Sequence, residues 1–223
     1  MSAADFLLSP AVQKLLQVVY AAPDQPHSAS ELARRTKLAL DEIERTIEHL
    51  VGSGILARQK GEPDAPAPVT VNRSFVFHRE LRSIALKSFA AAEPIRAMLR
   101  AKFKDSVVRA FILGENAQDS TVELLVVHGA VMPDRAAMAA ACQKLSKSLY
   151  RHLQVHVISN ARFEELAQRR DVLADKLAGP SAFEIIAPGD TKAQLPAARR
   201  GLLHSAKKTL AALTRSERGG RNG

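Results

Sequence analysis

The feature that most constrains this chain is the string Ser28-Ala29-Ser30-Glu31 together with the apolar spacing of residues 32–56. Ser28 stands three residues before Glu31, the spacing at which a serine caps a helix and a glutamate reaches back to the cap. The short helix it opens contains Leu32-Ala33-Arg34-Arg35. A turn over residues 36–39 leads into a second helix, residues 40–51, with Ile43, Ile47 and Leu50 at helical spacing. Gly52-Ser53-Gly54 then supplies a C-cap signal. Ile55-Leu56-Ala57-Arg58 reads as a strand, residues 61–68 as a Gly- and Pro-rich loop, and Val69-Thr70-Val71 as a returning strand. Upstream, Leu8, Val12, Leu15, Leu16 and Val19 form one apolar face of a helix over residues 6–20, which Pro23 and Pro26 end.

Three helices and a hairpin in this order resemble the winged helix-turn-helix of bacterial regulators of the arsenic-repressor kind. The resemblance covers residues 6–75 and rests on the Ser30–Arg35 string, on residues 43–50 and on Gly54-Ile55-Leu56. It implies double-stranded DNA as partner, and a homodimer reading two half-sites about one helical turn apart. The recognition helix would then be residues 40–51. Its outward positions are Leu40, Asp41, Glu42, Glu44, Arg45, Glu48 and His49, four acids against one arginine, an unfavourable face for phosphates. Asp41 and Glu42 either sit as first-turn acids favoured by the helix dipole or accept from cytosine edges. Phosphate contacts would come from Arg34, Arg35, Lys37, Arg45, Arg58, Lys60 and Arg73. The alternative is that the acidic face docks a protein partner.

Residues 78–104 read as a basic amphipathic helix with Leu81, Ile84, Phe89, Ile95 and Leu99 among its apolar residues, and Pro94 marks a kink or a split. Strands come next at 107–113, 122–127, 154–158 and 182–186, with helices at 134–150 and 163–177, an α/β order. Phe111-Ile112-Leu113-Gly114-Glu115, then Ser120-Thr121-Val122-Glu123-Leu124-Leu125-Val126, keep the hydrophobic frame of a minimal nucleotidyltransferase domain. Gln154–Ser159 and the run from Leu177 to Ile186 are similar to its later elements. Winged-helix proteins fused to such a domain form a group of transcriptional regulators, and this chain resembles them over most of its length.

The resemblance implies a phosphate-holding Gly-Ser turn and paired aspartates gripping Mg²⁺. Here Glu115 replaces the serine, Thr121 the first aspartate and Glu123 the second, while His156 stands where active members place a third carboxylate. One carboxylate on a strand is a poor site for a cation that needs octahedral oxygen ligands. The site formed by Gly114, Glu115, Thr121, Glu123 and His156 is therefore expected to be degenerate, with no catalysis, metal or cofactor. The domain would serve for scaffolding or dimerisation. A nucleotidyltransferase with an altered site is the further alternative.

The expected fold class is thus α+β. Its parts are a winged helix at 1–77, a connecting helix at 78–104, a nucleotidyltransferase-like domain at 105–190, and a basic helix (202–213) with a disordered tail at 191–223. No apolar run approaches the ~20 residues that span a bilayer, and residues 1–10 lack a basic leader, so a cytoplasmic protein without membrane partners is expected. Cys142 lies in an Ala-rich stretch and reads as a core thiol. The formal net charge of +9 suggests a polyanionic partner. The excess falls on residues 74–110, with eight basic against three acidic side chains, and on residues 190–223, with eight against two. Residues 1–73 carry eight against nine, so the candidate reading domain is not itself basic.

Overall fold

A computed structural model describes residues 2–60, 66–116, 120–166 and 171–195, and it is mixed α+β. Helix α1 (Pro10–Val19) starts four residues later than its apolar pattern suggests. Proline at the first helical position forces Ser9 into an extended conformation (ψ 156°), and the Ser9 hydroxyl accepts from the Val12 amide. Helix α2 (Ala29–Thr36) is capped by Ser28, whose Oγ accepts from the Glu31 amide at 3.2 Å. The reciprocal half of the capping box is not made: Glu31 instead pairs with Arg35 at 3.0 Å and lies 3.4 Å from His27 Nδ1. Lys37, left-handed at φ 57°, turns the chain into α3 (Leu40–Gly52).

Gly54 ends that helix at φ +75°, a region that favours glycine, so that its amide and that of Ile55 reach the carbonyls of Val51 and Leu50, both at 2.9 Å. Strands β1 (Leu56–Arg58) and β2 (Val69–Val71) pair antiparallel, and His27 bridges to Val69 on the open edge. Leu15, Leu16, Leu32, Ile43, Leu50 and Leu56 close one core beneath these elements.

The basic segment expected as one helix is two, α4 (His78–Lys87) and α5 (Ala92–Lys102). The break lies at residues 88–91, upstream of Pro94. Ser88 leaves helical geometry (φ −128°, ψ −115°) and its hydroxyl donates back to the Ile84 carbonyl at 2.5 Å. Pro94 falls in the first turn of α5, where its missing N–H costs nothing. The break divides the segment between two cores: Ala85, Phe89 and Ala90 join the first, whereas Ala91, Ile95 and Leu99 join the second.

The second core is built on a four-stranded sheet in the order β5-β4-β3-β6, from β3 (Val107–Glu115), β4 (Val122–His128), β5 (Leu153–Ser159) and β6 (Phe183–Ile186). β4 and β5 are parallel and joined through α6 (Arg135–Leu149); the other pairs are antiparallel. Val122, Leu124 and Val126 face α5 and α6, where Met138, Ala141 and Cys142 are buried. Leu125 and Val127 face the other way, towards Phe163 of α7 (Asn160–Leu166) and Leu173 and Leu177 of α8 (Val172–Ala178). The helix expected at 163–177 is therefore two helices, α8 being capped afresh by Asp171, whose carboxylate accepts from the Leu173 amide at 2.9 Å.

The segment after β6 runs back along the sheet, with Thr191 donating to the Val107 carbonyl at 2.5 Å. Gln194 accepts from the Ala130 amide at 2.9 Å. A Cβ on Gly129 would lie 2.1 Å from the Gln194 carbonyl oxygen, so only glycine permits this approach. The expected helix at 202–213, the tail, residues 61–65 between β1 and β2 and the loop residues 117–119 lie outside the described residues.

Candidate functional site

The helix-turn-helix unit exposes Leu40, Asp41, Glu44, Arg45, Glu48 and His49 of α3, and Glu42 is half-buried. The cations expected to meet phosphate are not equivalent. Arg45 pairs with Asp41 at 3.0 Å, Arg58 with Glu48, and Arg73 with Asp24 at 2.6 Å. Arg35 is turned inward: besides Glu31, its guanidinium lies over the Tyr150 ring, 4.2 Å from the centroid, and its carbonyl accepts from the Tyr150 hydroxyl at 2.7 Å. Burial alone would raise the Glu31 carboxyl, but the Arg35 hydrogen bond and the neighbouring His27 outweigh it and hold Glu31 below the ordinary carboxylate range. Arg34, Lys37 and Lys60 are exposed and pair with no carboxylate among the described residues. Between α3 and the hairpin lies an open groove of about 570 Å³, with Asp41, Glu44, Arg45, Glu48 and Arg58 at its rim and Ile47 and Val69 in its floor.

The residues expected to form a degenerate transferase site do not all converge. Gly114 and Glu123 are cross-strand partners, and so are Glu115 and Val122, yet the two carboxylates are held by different cations. Glu123 lies on the α8 side of β4, and Lys176 Nζ donates to its two oxygens at 2.7 and 2.5 Å. Thr121 is buried at the mouth of β4, and its carbonyl accepts from the Asn116 amide at 2.8 Å. His156 sits beside Leu125 in the parallel register and is half-buried, with no hydrogen-bond partner for Nε2 among the described residues. No group of three or more His, Cys, Asp or Glu side chains among the described residues could hold a metal ion.

Glu115, which stands where the resemblance implies a serine, is paired rather than free. Its side chain is 4 % exposed and sits between two guanidiniums, Arg82 of α4 at 2.9 Å and Arg151 at 2.8 Å. Arg151, 1 % exposed, comes directly after the left-handed Tyr150 that ends α6, and it also donates to the Gln17 carbonyl of α1 at 3.2 Å. Glu115 thus engages the two guanidiniums nearest this turn. The cleft beside it, lined by Arg79, Arg82, Lys87 and Ser181, has a volume of about 250 Å³. That is below the ~300–1,000 Å³ of typical small-molecule sites.

Arg151 is one of several contacts that join the two units. Ser120, at φ 53°, donates to the Ala21 carbonyl at 2.6 Å in a buried position, and Gln17 donates to the Ser148 carbonyl at 3.2 Å. Tyr20 lies against His78 with ring centroids 5.8 Å apart. Burial pushes the Tyr20 hydroxyl up to about 12 against a smaller opposing pull from Arg82. Burial, with Arg82, Arg73 and Arg79 nearby, holds His78 below the usual imidazole value. Arg82, Arg151, Tyr150 and Lys176 carry no motif, because nothing in their local sequence says which distant carboxylate or carbonyl they will meet. Burial likewise raises the Cys142 thiol above its usual value, as befits a core thiol rather than a nucleophile.

Comparison with known proteins finds no protein family, curated protein or solved structure that this chain matches. No helix among the described residues is long and apolar enough to cross a membrane.

Proposed function

We propose that this chain is a DNA-binding transcriptional regulator whose winged helix-turn-helix reads duplex DNA as a homodimer, and whose nucleotidyltransferase-like domain is a non-catalytic scaffold. The observation that carries the reading is the arrangement of α2, the three-residue turn Lys37–Ala39, α3 and the β1–β2 hairpin, with the outer side chains of α3 exposed. Of the cations expected to meet phosphate, Arg34, Lys37 and Lys60 have no acidic partner among the described residues. In support of a scaffold, Glu115 is engaged by Arg82 and Arg151, and Glu123 by Lys176. A divalent cation at Glu123 would have to displace the Lys176 ammonium and draw its remaining oxygen ligands from elsewhere.

Selection of bound duplexes from a random-sequence pool tests the proposal. Enrichment of an inverted repeat with half-sites about one turn apart is expected; no enrichment at low salt counts against it. A second reading, in which α3 docks a protein, is favoured by Asp41, Glu44 and Glu48 on the same exposed helix. Co-purification of a stoichiometric partner without DNA affinity would establish that reading instead. Transfer of labelled nucleotide with Mg²⁺ or Mn²⁺, lost on Glu123→Ala, would return the protein to the enzymes.

A further inference from the structure

An open cleft of about 550 Å³ lies between the two units, walled by α1, by the turn between α2 and α3, and by the C-terminal half of α6. Its rim carries Lys14, Arg35, Lys37, Lys144 and Lys147, and no carboxylate among the described residues lines it. Arg35 is fixed by Tyr150 and partly neutralised by Glu31. The four lysines are exposed and have no acidic partner among the described residues. Two of them have a local reason to be basic: Lys37 caps α2 and Lys147 lies in the last turn of α6, where the helix dipole favours a cation. Lys14 and Lys144 lie away from helix ends and have no such reason. Like charges gathered without a counter-charge repel one another, and a bound polyanion relieves that repulsion.

We infer that this cleft binds a small ligand carrying two or more linked phosphoryl groups. Its volume falls in the range of small-molecule sites, ~300–1,000 Å³. Orthophosphate, with one anionic centre, would meet only part of a rim that carries five cations. The cleft is concave, whereas a duplex offers its phosphates on a convex surface that protruding side chains reach. It is separate from the turn at Gly114 and Glu115, which is lined by other residues. Lys37 is shared with the proposed DNA contacts, but Lys14 and Lys144 are not, so binding here does not require that α3 read DNA.

Titration calorimetry of the full chain with inorganic tripolyphosphate tests it. One ligand per chain is expected, with affinity at least about tenfold above that of orthophosphate and reduced about tenfold or more in the double variant Lys14→Ala/Lys144→Ala. Both positions are exposed, so an unchanged melting temperature of the unliganded variant certifies its fold. A nucleoside triphosphate that binds more tightly than tripolyphosphate marks a base-bearing ligand, and equal binding marks an inorganic one; either sustains the proposal. Absence of tripolyphosphate binding overturns it, and so does binding that the double variant leaves unchanged, which would assign it to basic residues elsewhere. Displacement of bound duplex by tripolyphosphate, together with equal losses of both in the variant, would make the cleft a DNA contact and also overturn it.

Discussion

A carboxylate and a guanidinium that are both almost fully out of water must satisfy each other, because each alone would carry an uncompensated desolvation cost. Glu115 and Arg151 stand in that relation, with Arg82 as a third, more exposed member. Replacing Glu115 by alanine leaves Arg151 buried against the Gln17 carbonyl alone. The expected destabilisation is about 3–5 kcal/mol, read from urea unfolding. Replacing the pair together, Glu115→Leu with Arg151→Met, should cost less than Glu115→Ala, since the fully buried guanidinium is then no longer stranded and only the more exposed Arg82 loses its partner. A double variant as unstable as the single one would show that the pair's electrostatics are not the reason.

Tyr20 supplies a second test at the same scale. Its folded pKa is raised to about 12 by burial, from an ordinary value of 10.0. A group raised in this way contributes stability that is intact below its ordinary value and is lost as pH rises through its folded value. The chain has two tyrosines, so a Tyr150→Phe variant leaves Tyr20 as the sole phenol. Its ultraviolet titration should have a midpoint near pH 12, or a sharp step where alkaline unfolding releases the ring. A smooth midpoint at the ordinary phenol value in a folded chain contradicts burial as the cause.

Among the elements, the helices and strands with strong local signals are legible in the sequence. Ser28 capping α2, Ile43, Ile47 and Leu50 on α3, and the Gly54 cap all obey short-range rules, and the structure contains each of them. What is not legible depends on partners far along the chain. Nothing near Ser88 announces that it will bond back to Ile84 and split a basic helix, since Pro94 is the louder local signal and is harmless in a first turn. The strand pattern around Gly114 and Glu123 is readable, but the cations that hold Glu115 and Glu123 come from residues 82, 151 and 176, where sequence distance hides the contact. Gly129 is another such case. Its sequence neighbours give no sign that Gln194 will pass over it. Gly129→Ala must push the segment after β6 off the sheet, and a loss of about 1–3 kcal/mol in unfolding free energy is expected, as for other overpacked sites. A stability unchanged within error would show that this segment does not bind the sheet tightly.

At the scale of the whole molecule, two cores meet across a junction made of Ser120, Arg151, Tyr150 and Gln17, so the helix-turn-helix sits against the sheet domain at the end that carries Glu115. The charge has a different plan from that of a simple DNA-reading domain. Residues 1–73 are close to neutral, and the ion pairs Arg45–Asp41, Arg58–Glu48 and Arg73–Asp24 use much of their positive charge internally. Exposed pairs of this kind are weak, about 0–1 kcal/mol each, so phosphates could compete for these arginines. Non-specific affinity is therefore expected to be modest and to depend on a few cations.

DNA reading by this unit is tested most directly by fluorescence anisotropy of a selected duplex over a salt series from about 50 to about 200 mM. The observed association constant should fall linearly on logarithmic axes. The triple variant Arg34→Ala/Lys37→Ala/Lys60→Ala should bind more weakly and flatten the slope by about 2–3, close to one unit for each phosphate contact removed. Tight binding with an unchanged slope in the triple variant, or no binding by the unaltered chain at the lowest salt, would contradict the claim that this helix-turn-helix reads DNA.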